Sequence, residues 1–253
     1  MQRRIRKLIS VLLLLILWYL AAALINAPLI LPFPHSVLLR LCALMKTSFF
    51  WKSFFFTFLR VISAFLISLI LGFSLGLISA DFPPFKDYID FPLALIRATP
   101  VVAVILPALF WFKSGTVPVF VAVLMALPVI TSSAQKGFEG SPEACEVLFK
   151  AASRGFRGWK AFRYIRLPAA APSIKAGAES AFGLCWKVVA AGEVLSIPRY
   201  ATGAIMQRSQ VHLETADTLA VTALLVFVSW LCQRALICLP CFKITLQNRV
   251  SAL

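Results

Sequence analysis

Apolar residues gather in six long runs separated by polar or proline-rich stretches. The runs are about Leu8–Ile25, Phe56–Ile78, Leu93–Phe112, Val117–Ala134, Ala176–Ile197 and Thr218–Leu239. Each is close to the ~20 residues that cross a bilayer as a helix. Lipid offers backbone amides no hydrogen-bond partner, so every run predicts a helix. The pattern therefore predicts an all-α integral membrane protein with six transmembrane helices. No polar block is long enough for a second domain, so residues 1–253 read as one transmembrane domain.

Two connections exceed a turn. In Asn26–Phe55, Leu31-Pro32-Phe33-Pro34 breaks the chain and Ser36–Ser48 predicts a short helix on the membrane surface. The second connection, about 135–175, lies between the fourth and fifth runs. Ser141 reads as an N-cap, with Pro142 at the first helical position and Glu143 behind it. Ala144, Val147, Leu148 and Ala151 follow at i, i+3, i+4, i+7, one face of an amphipathic helix. Gly155 stands where a terminating glycine is expected. Phe156, Trp159, Phe162 and Ile165 then recur every third residue, with Arg157, Lys160, Arg163 and Arg166 opposite. Leu167-Pro168 is expected to stop this second helix, and Pro172 to open the next span. The segment thus predicts a helix–turn–helix whose apolar faces need a partner, either the ends of the spans or another protein.

Composition agrees with a membrane protein: 60% of the 253 residues are hydrophobic and 14% charged, where soluble domains carry roughly a quarter charged. The formal net charge of +15 flanks the apolar runs. With the N-terminus inside, Arg3–Lys7, Lys86, Lys136–Lys175 and Arg234–Arg249 fall on the inner side. Only Arg40, Lys46, Lys52, Lys113, Arg199 and Arg208 fall outside. That asymmetry predicts cytoplasmic N- and C-termini and a cytoplasmic 135–175 loop. It also argues against nucleic acid as partner, because the basic residues follow membrane boundaries rather than a groove with interleaved aromatics. The run after Lys7 is longer than a signal-peptide core and reads as an uncleaved first helix. Six scattered cysteines make no disulfide framework, and the lone Cys238-x-x-Cys241 lacks further ligands nearby, so no metal site is expected.

Charges at membrane depth are costly and face a cavity or one another. Arg60, Arg97, Glu179, Lys187, Glu193 and Asp217 lie within spans or near their ends. Lys187 and Glu193 are six residues apart, about 240° around a helix, so they are not expected to pair. Arg97 and Lys187 offer positive charge to an anionic substrate; snorkelling or a structural ion pair between helices is the blander reading. Pro100, Pro107 and Pro128 predict kinks of the kind that line a path, or the ordinary proline content of membrane helices. His35 and His212 are expected at the outer surface.

Gly155 followed by Ile165-Arg166-Leu167-Pro168 resembles the second half of the EAA loop of binding-protein-dependent ABC importers. Where that family has Glu-Ala-Ala, this chain has Phe149-Lys150-Ala151, and only Ala151 matches. Leu31-Pro32-Phe33-Pro34, Phe58-Leu59-Arg60-Val61 with Gly72 and Gly76, and Arg97-Ala98-Thr99-Pro100 with Pro107 and Trp111-Phe112 are similar to the nitrate, sulfonate and taurine permease branch. So are Pro128, Gly137, Leu167-Pro168 with Pro172, and Ala191-Gly192-Glu193. The resemblance spans about residues 31–234. It implies a permease subunit in a prokaryotic plasma (inner) membrane, multi-pass, paired with a second copy as a homodimer. Cytoplasmic ABC ATPase subunits would grip the loop at Glu143, Ala144, Val147, Leu148, Ala151, Gly155, Ile165, Leu167 and Pro168. An extracytoplasmic solute-binding protein would deliver a small solute to a path that includes Arg97, Pro100, Lys187 and Glu193.

The chain has no G-x-x-x-x-G-K-[ST] phosphate loop. No cofactor is expected in it, no catalytic residue and no enzyme activity; ATP-Mg would be bound by the partner ATPase. A self-contained membrane enzyme or channel would need clustered His, Asp or Glu, and the sequence holds two His and ten acidic residues, mostly scattered. A proton-coupled carrier with Glu193 as relay is the other alternative.

Overall fold

The computed structural model describes residues 2–140 and 158–238. The chain enters through α1 (Gln2–Ile25), α2 (Pro34–Met45) and α3 (Ser48–Asp81). It continues through α4 (Pro83–Ala98), α5 (Val101–Trp111) and α6 (Val117–Glu139). After residue 158 come a single turn, α7 (Trp159–Ala161), a π-helical turn (Phe162–Arg166) and α8 (Leu167–Ser196). α9 (Thr202–Val211) and α10 (Thr215–Cys238) complete the described part.

Three of these helices, α3, α6 and α10, are long and apolar enough to cross a bilayer, and α4 with α5 makes a fourth if that bent pair is one span. The all-α membrane architecture holds. The expected third span, about 93–112, is not a single kinked helix. It breaks at Thr99-Pro100, and the two pieces meet at 100°. Pro100 has no N–H to continue the ladder, and it forces Thr99 out of helical geometry to φ −77, ψ 127. The second run also extends beyond 56–78: α3 begins at Ser48, eight residues before the apolar pattern, capped by Thr47, whose hydroxyl accepts from the Phe50 amide.

The expected second loop helix does not end at Leu167-Pro168, and Pro172 does not open a new one. Residues 159–196 run on as one helix through the π turn, in which the Leu167 amide reaches back five residues to the Phe162 carbonyl. The widened turn brings in Pro168, which has no amide to donate, without terminating the helix. Pro172 lies inside α8. The loop of about 135–175 is correspondingly shorter, since 135–139 end α6 and 159–175 belong to the α7–α8 run. The amphipathic helix expected over Glu143–Ser153 lies outside the described residues.

The core is built of small residues interleaved with apolar ones. The buried face of α3 carries Ser53, Thr57, Ala64, Ser68, Gly72, Gly76 and Ser79 beside Phe50, Val61 and Phe65, while Phe55, Leu59, Leu66 and Ile70 face outward. Apolar side chains gain nothing by leaving lipid, so small residues that let backbones approach make the contacts. Central α6 meets α3 where Gly72 faces Ile130 and Gly76 faces Ala134, and it meets α8 where Gly137 faces Ala170 and Gly177 faces Ser133. A Cβ on Gly177 would lie 2.3 Å from that of Ser133. At the other end Gly192 lies against Pro118. α2 ties down separately: Arg40 grips Asp217, in the first turn of α10, through both carboxylate oxygens at 2.5 and 2.7 Å. The hydrogen bond and charge of Asp217 push the Arg40 pKa above its usual value.

Candidate functional site

Three places hold the residues singled out by the sequence. The first is a polar clasp between α3, α8 and the turn that follows α8. Glu193, one helical turn from the end of α8, is fully buried at 0% exposure. Its Oε1 accepts from Arg60 Nη1 at 2.7 Å. Its Oε2 accepts from the Thr57 hydroxyl at 2.9 Å, the Gly203 amide at 3.0 Å and, more distantly, the Thr202 hydroxyl. Gly203 must be glycine to come this close, since a Cβ there would lie 2.6 Å from that of Glu193. Arg60, itself 13% exposed, also donates from Nη1 to the Tyr200 carbonyl and from Nε to the Gly115 carbonyl. The Thr202 amide donates to Thr57 Oγ1 at 3.0 Å. The clasp holds a turn that includes Ile197 in left-handed geometry at φ 45, costly for a β-branched residue.

As the helical angle predicts, Lys187 does not pair with Glu193. The partner of Glu193 is Arg60, 133 residues away, a pairing that no sequence spacing connects. The available signal was the polar run Ser53, Thr57, Arg60 along one side of a helix otherwise dominated by Phe and Leu.

The second place is the end of α6 and the start of α8. Ile165 and Pro168 are buried there, and Leu167 packs on a cluster of Ala134, Phe138, Ala170 and Ile174. Phe138 meets Phe73 edge-on and Phe162 in a stack. Arg166 reaches Asp81 at the end of α3 at 2.5 Å, and Lys86 of α4 reaches Glu139 at 2.7 Å. Four helix ends are thus fastened around the point where the chain leaves α6. Trp159 remains largely exposed. Glu143, Ala144, Val147, Leu148, Ala151 and Gly155 lie outside the described residues.

The third place is the side of the bundle. Arg97, at the end of α4, donates to the Pro128 carbonyl and contacts the Ser132 hydroxyl on α6. The Ser132 hydroxyl also donates to the same carbonyl. Pro100 caps α5 at the 100° break and is exposed. Lys187 is exposed on α8 and lines a cavity between α8, α9 and α10. The structure therefore separates the four path residues: Glu193 is locked inside the fold, and the other three lie on its surface. Among the described residues no group of His, Cys, Asp or Glu is arranged to hold a metal ion.

Comparison with known proteins bears on what such a bundle does. A family model for the binding-protein-dependent transport system inner membrane component matches residues 68–233. That span runs from the small-residue face of α3 through to Gln233 on α10. The taurine transport system permease protein of Escherichia coli K12 is 24% identical over 230 residues, 88% of this chain and 82% of its own. A protein of Methanocaldococcus jannaschii assigned as an ABC transporter permease is 27% identical over 185 residues, 71% of this chain and 68% of its own. Because the family match covers most of the packed bundle, the chain belongs to the binding-protein-dependent transport system inner membrane components, the multi-pass, non-catalytic permease subunits of ABC transporters.

Proposed function

We propose that two copies of this chain, as a homodimer, form the bilayer path of an importer for a small solute. Six spans, the first near residues 8–25, place both termini in the cytoplasm. Membership of the family implies an ATPase and a binding protein as partners. In this reading the binding protein acts on the outer face, and ATP-Mg is bound and hydrolysed on the separate ATPase chains. Glu143, Ala144, Val147, Leu148 and Ala151 offer the ATPase an amphipathic surface. Gly155, Ile165, Leu167 and Pro168 join that surface to α8. Arg97, Pro100 and Lys187 border the path.

The observation that carries this reading is the direct packing of the two helices that flank the basic segment. Gly137 and Gly177 bring α6 and α8 to backbone contact beside the place where the segment leaves the bundle. A push on the end of α6 or the start of α8 is felt by both helices at once. Close-packed interfaces respond by shifting between discrete arrangements. Glu193 gives a proton-carrier reading little support, since its carboxylate is enclosed by Arg60, Thr57 and Gly203.

The test is co-purification. Expressed with its ATPase, the wild-type chain should yield a detergent-stable complex that hydrolyses ATP, whereas the chain alone should not. Replacing Val147→Asp and Leu148→Asp together should abolish the complex while membrane insertion persists. An unchanged complex would show that the ATPase docks elsewhere.

A further inference from the structure

We infer that α4 carries the contact between two copies of this chain: its Tyr88, Phe91 and Leu95 face packs against the same face of a second copy, about a two-fold axis along the membrane normal. This rests on the homodimer reading and assigns the surface through which the copies meet inside the bilayer.

α4 lies alongside α6 in antiparallel register. Lys86 reaches Glu139, and Arg97, eleven residues later, reaches the Pro128 carbonyl, eleven residues earlier. Each stretch is about 16 Å long. α4 therefore starts at the end of the bundle where the basic segment leaves and passes that far into it. It packs inward through one stripe: Leu93 is buried, and Phe85, Ile89 and Ile96 are half-buried. The opposite side carries a second stripe. Pro84, Tyr88, Phe91, Leu95 and Ala98 are all exposed and recur at alternating intervals of four and three residues. Tyr88 is 80% exposed, Phe91 70% and Leu95 54%. An apolar repeat averaging 3.5 residues is the seam by which one helix faces another; lipid imposes no such period.

Two features of α4 speak against lipid on that side. Asp87 and Asp90 flank the stripe and are exposed. Asp90 lies four residues beyond Lys86, about 6 Å further into the bundle, and a carboxylate there is costly against acyl chains. Pro92, also exposed, has no amide to give the Tyr88 carbonyl, and hydrocarbon supplies no other donor. Water would satisfy these polar groups but not the aromatic and leucine side chains between them. A facing protein surface, apolar along its centre and polar at its edges, satisfies both. A soluble protein docked on the end of the bundle would not reach Leu95, nine residues beyond Lys86 and so about 14 Å further in. A second copy shares the bilayer and the topology. Two-fold symmetry then sets each stripe residue at the depth of its own counterpart, the self-complementary arrangement of an isologous interface.

The experiment uses the complex of this chain with its ATPase in lipid nanodiscs, with the six native cysteines replaced by alanine and single cysteines introduced in turn. Tyr88→Cys, Phe91→Cys and Leu95→Cys test the stripe; Leu66→Cys and Ile70→Cys, on the outward face of α3, are the controls. A disulfide bridges only Cα atoms within about 7 Å. Oxidation with copper phenanthroline should give covalent dimers of this chain at one or more stripe positions, at least about fivefold above the controls. Photocrosslinking from p-benzoylphenylalanine in place of Phe91, in the chain with its own cysteines, should give the same dimer. Cross-linking no stronger than at the α3 positions, or cross-linking to the ATPase in place of a second copy, would overturn the assignment. Native mass spectrometry of the complex counts the copies. Two copies without a stripe cross-link refute this surface alone; a single copy refutes the homodimer reading beneath it as well.

Discussion

Removing either partner of the Arg60–Glu193 pair should damage the fold far more than neutralising both. The two charges are 2.7 Å apart with exposures of 13% and 0%, so neither can recover solvent when the other is deleted. Breaking a buried pair on one side costs about 3–5 kcal/mol, mostly the penalty of the stranded charge. Arg60→Met strands a carboxylate that keeps Thr57 and the Gly203 amide as donors. Glu193→Ala strands a guanidinium that keeps two carbonyls, Gly115 and Tyr200, and orphans the Gly203 amide. The Thr57 hydroxyl escapes that fate, because it can turn wholly to the Ser53 carbonyl at 3.0 Å. An orphaned buried amide adds about 1–3 kcal/mol. Both single variants should therefore lose several kcal/mol. In Arg60→Met with Glu193→Gln, a neutral amide still accepts from Gly203 and no charge is stranded. That double variant should be more stable than Arg60→Met alone by about 2 kcal/mol or more, whereas two independent residues would make it less stable still. Unfolding in mixed micelles titrated with SDS measures these variants, and the Glu193→Gln single variant that closes the cycle, against wild type. Additivity within about 0.5 kcal/mol would refute the claim that these two residues form one unit.

Two further outcomes follow from the packing and a third from the proposed ATPase docking. Gly177→Ala should destabilise the bundle by about 1–3 kcal/mol through overpacking against Ser133, and Ser133→Gly in the same chain should recover most of it; thermal melting in detergent reads both. Asp217→Asn should loosen α2 from α10 at a cost of about 1–2 kcal/mol, modest because the Arg40 side chain is half exposed and finds water. Proteolysis between residues 26 and 47 should then quicken while the core melts nearly as before. The wild-type complex with its ATPase should lose assembly on replacing Val147 and Leu148 with Asp, checked by co-purification.

The helical, membrane-embedded character was legible because lipid leaves the backbone one local solution, and apolar runs report it directly. Element ends were less legible where proline acts in opposite senses. At Thr99-Pro100 it breaks a span, because the preceding residue is driven to ψ 127. At Leu167-Pro168 it does not, because a π turn brings it in. A sequence gives the same residue in both places, and only the neighbouring hydrogen bonds distinguish them. The clasp was half legible. Glu193 and Arg60 each stand out as charges in apolar surroundings, but pairing them requires knowing that α3 and α8 are in contact. The face of α3 that makes this contact mixes small and hydroxylated residues with Val61 and Phe65, while its lipid side is also rich in Phe and Leu. A search for greasy stripes, sound for water-soluble helices, cannot tell the two sides apart.

The unbroken run through Pro168 and Pro172 has a mechanical consequence. From Leu167 to Glu193 the helix is about 39 Å long, with no hinge between its ends. Tilting it by about 10° about the Leu167 end would swing Glu193 and the turn after it through roughly 7 Å by that length, pulling on α3 through Arg60. A lever of this reach lets a small angular change beside Phe138 be read, amplified, at the opposite face of the bundle.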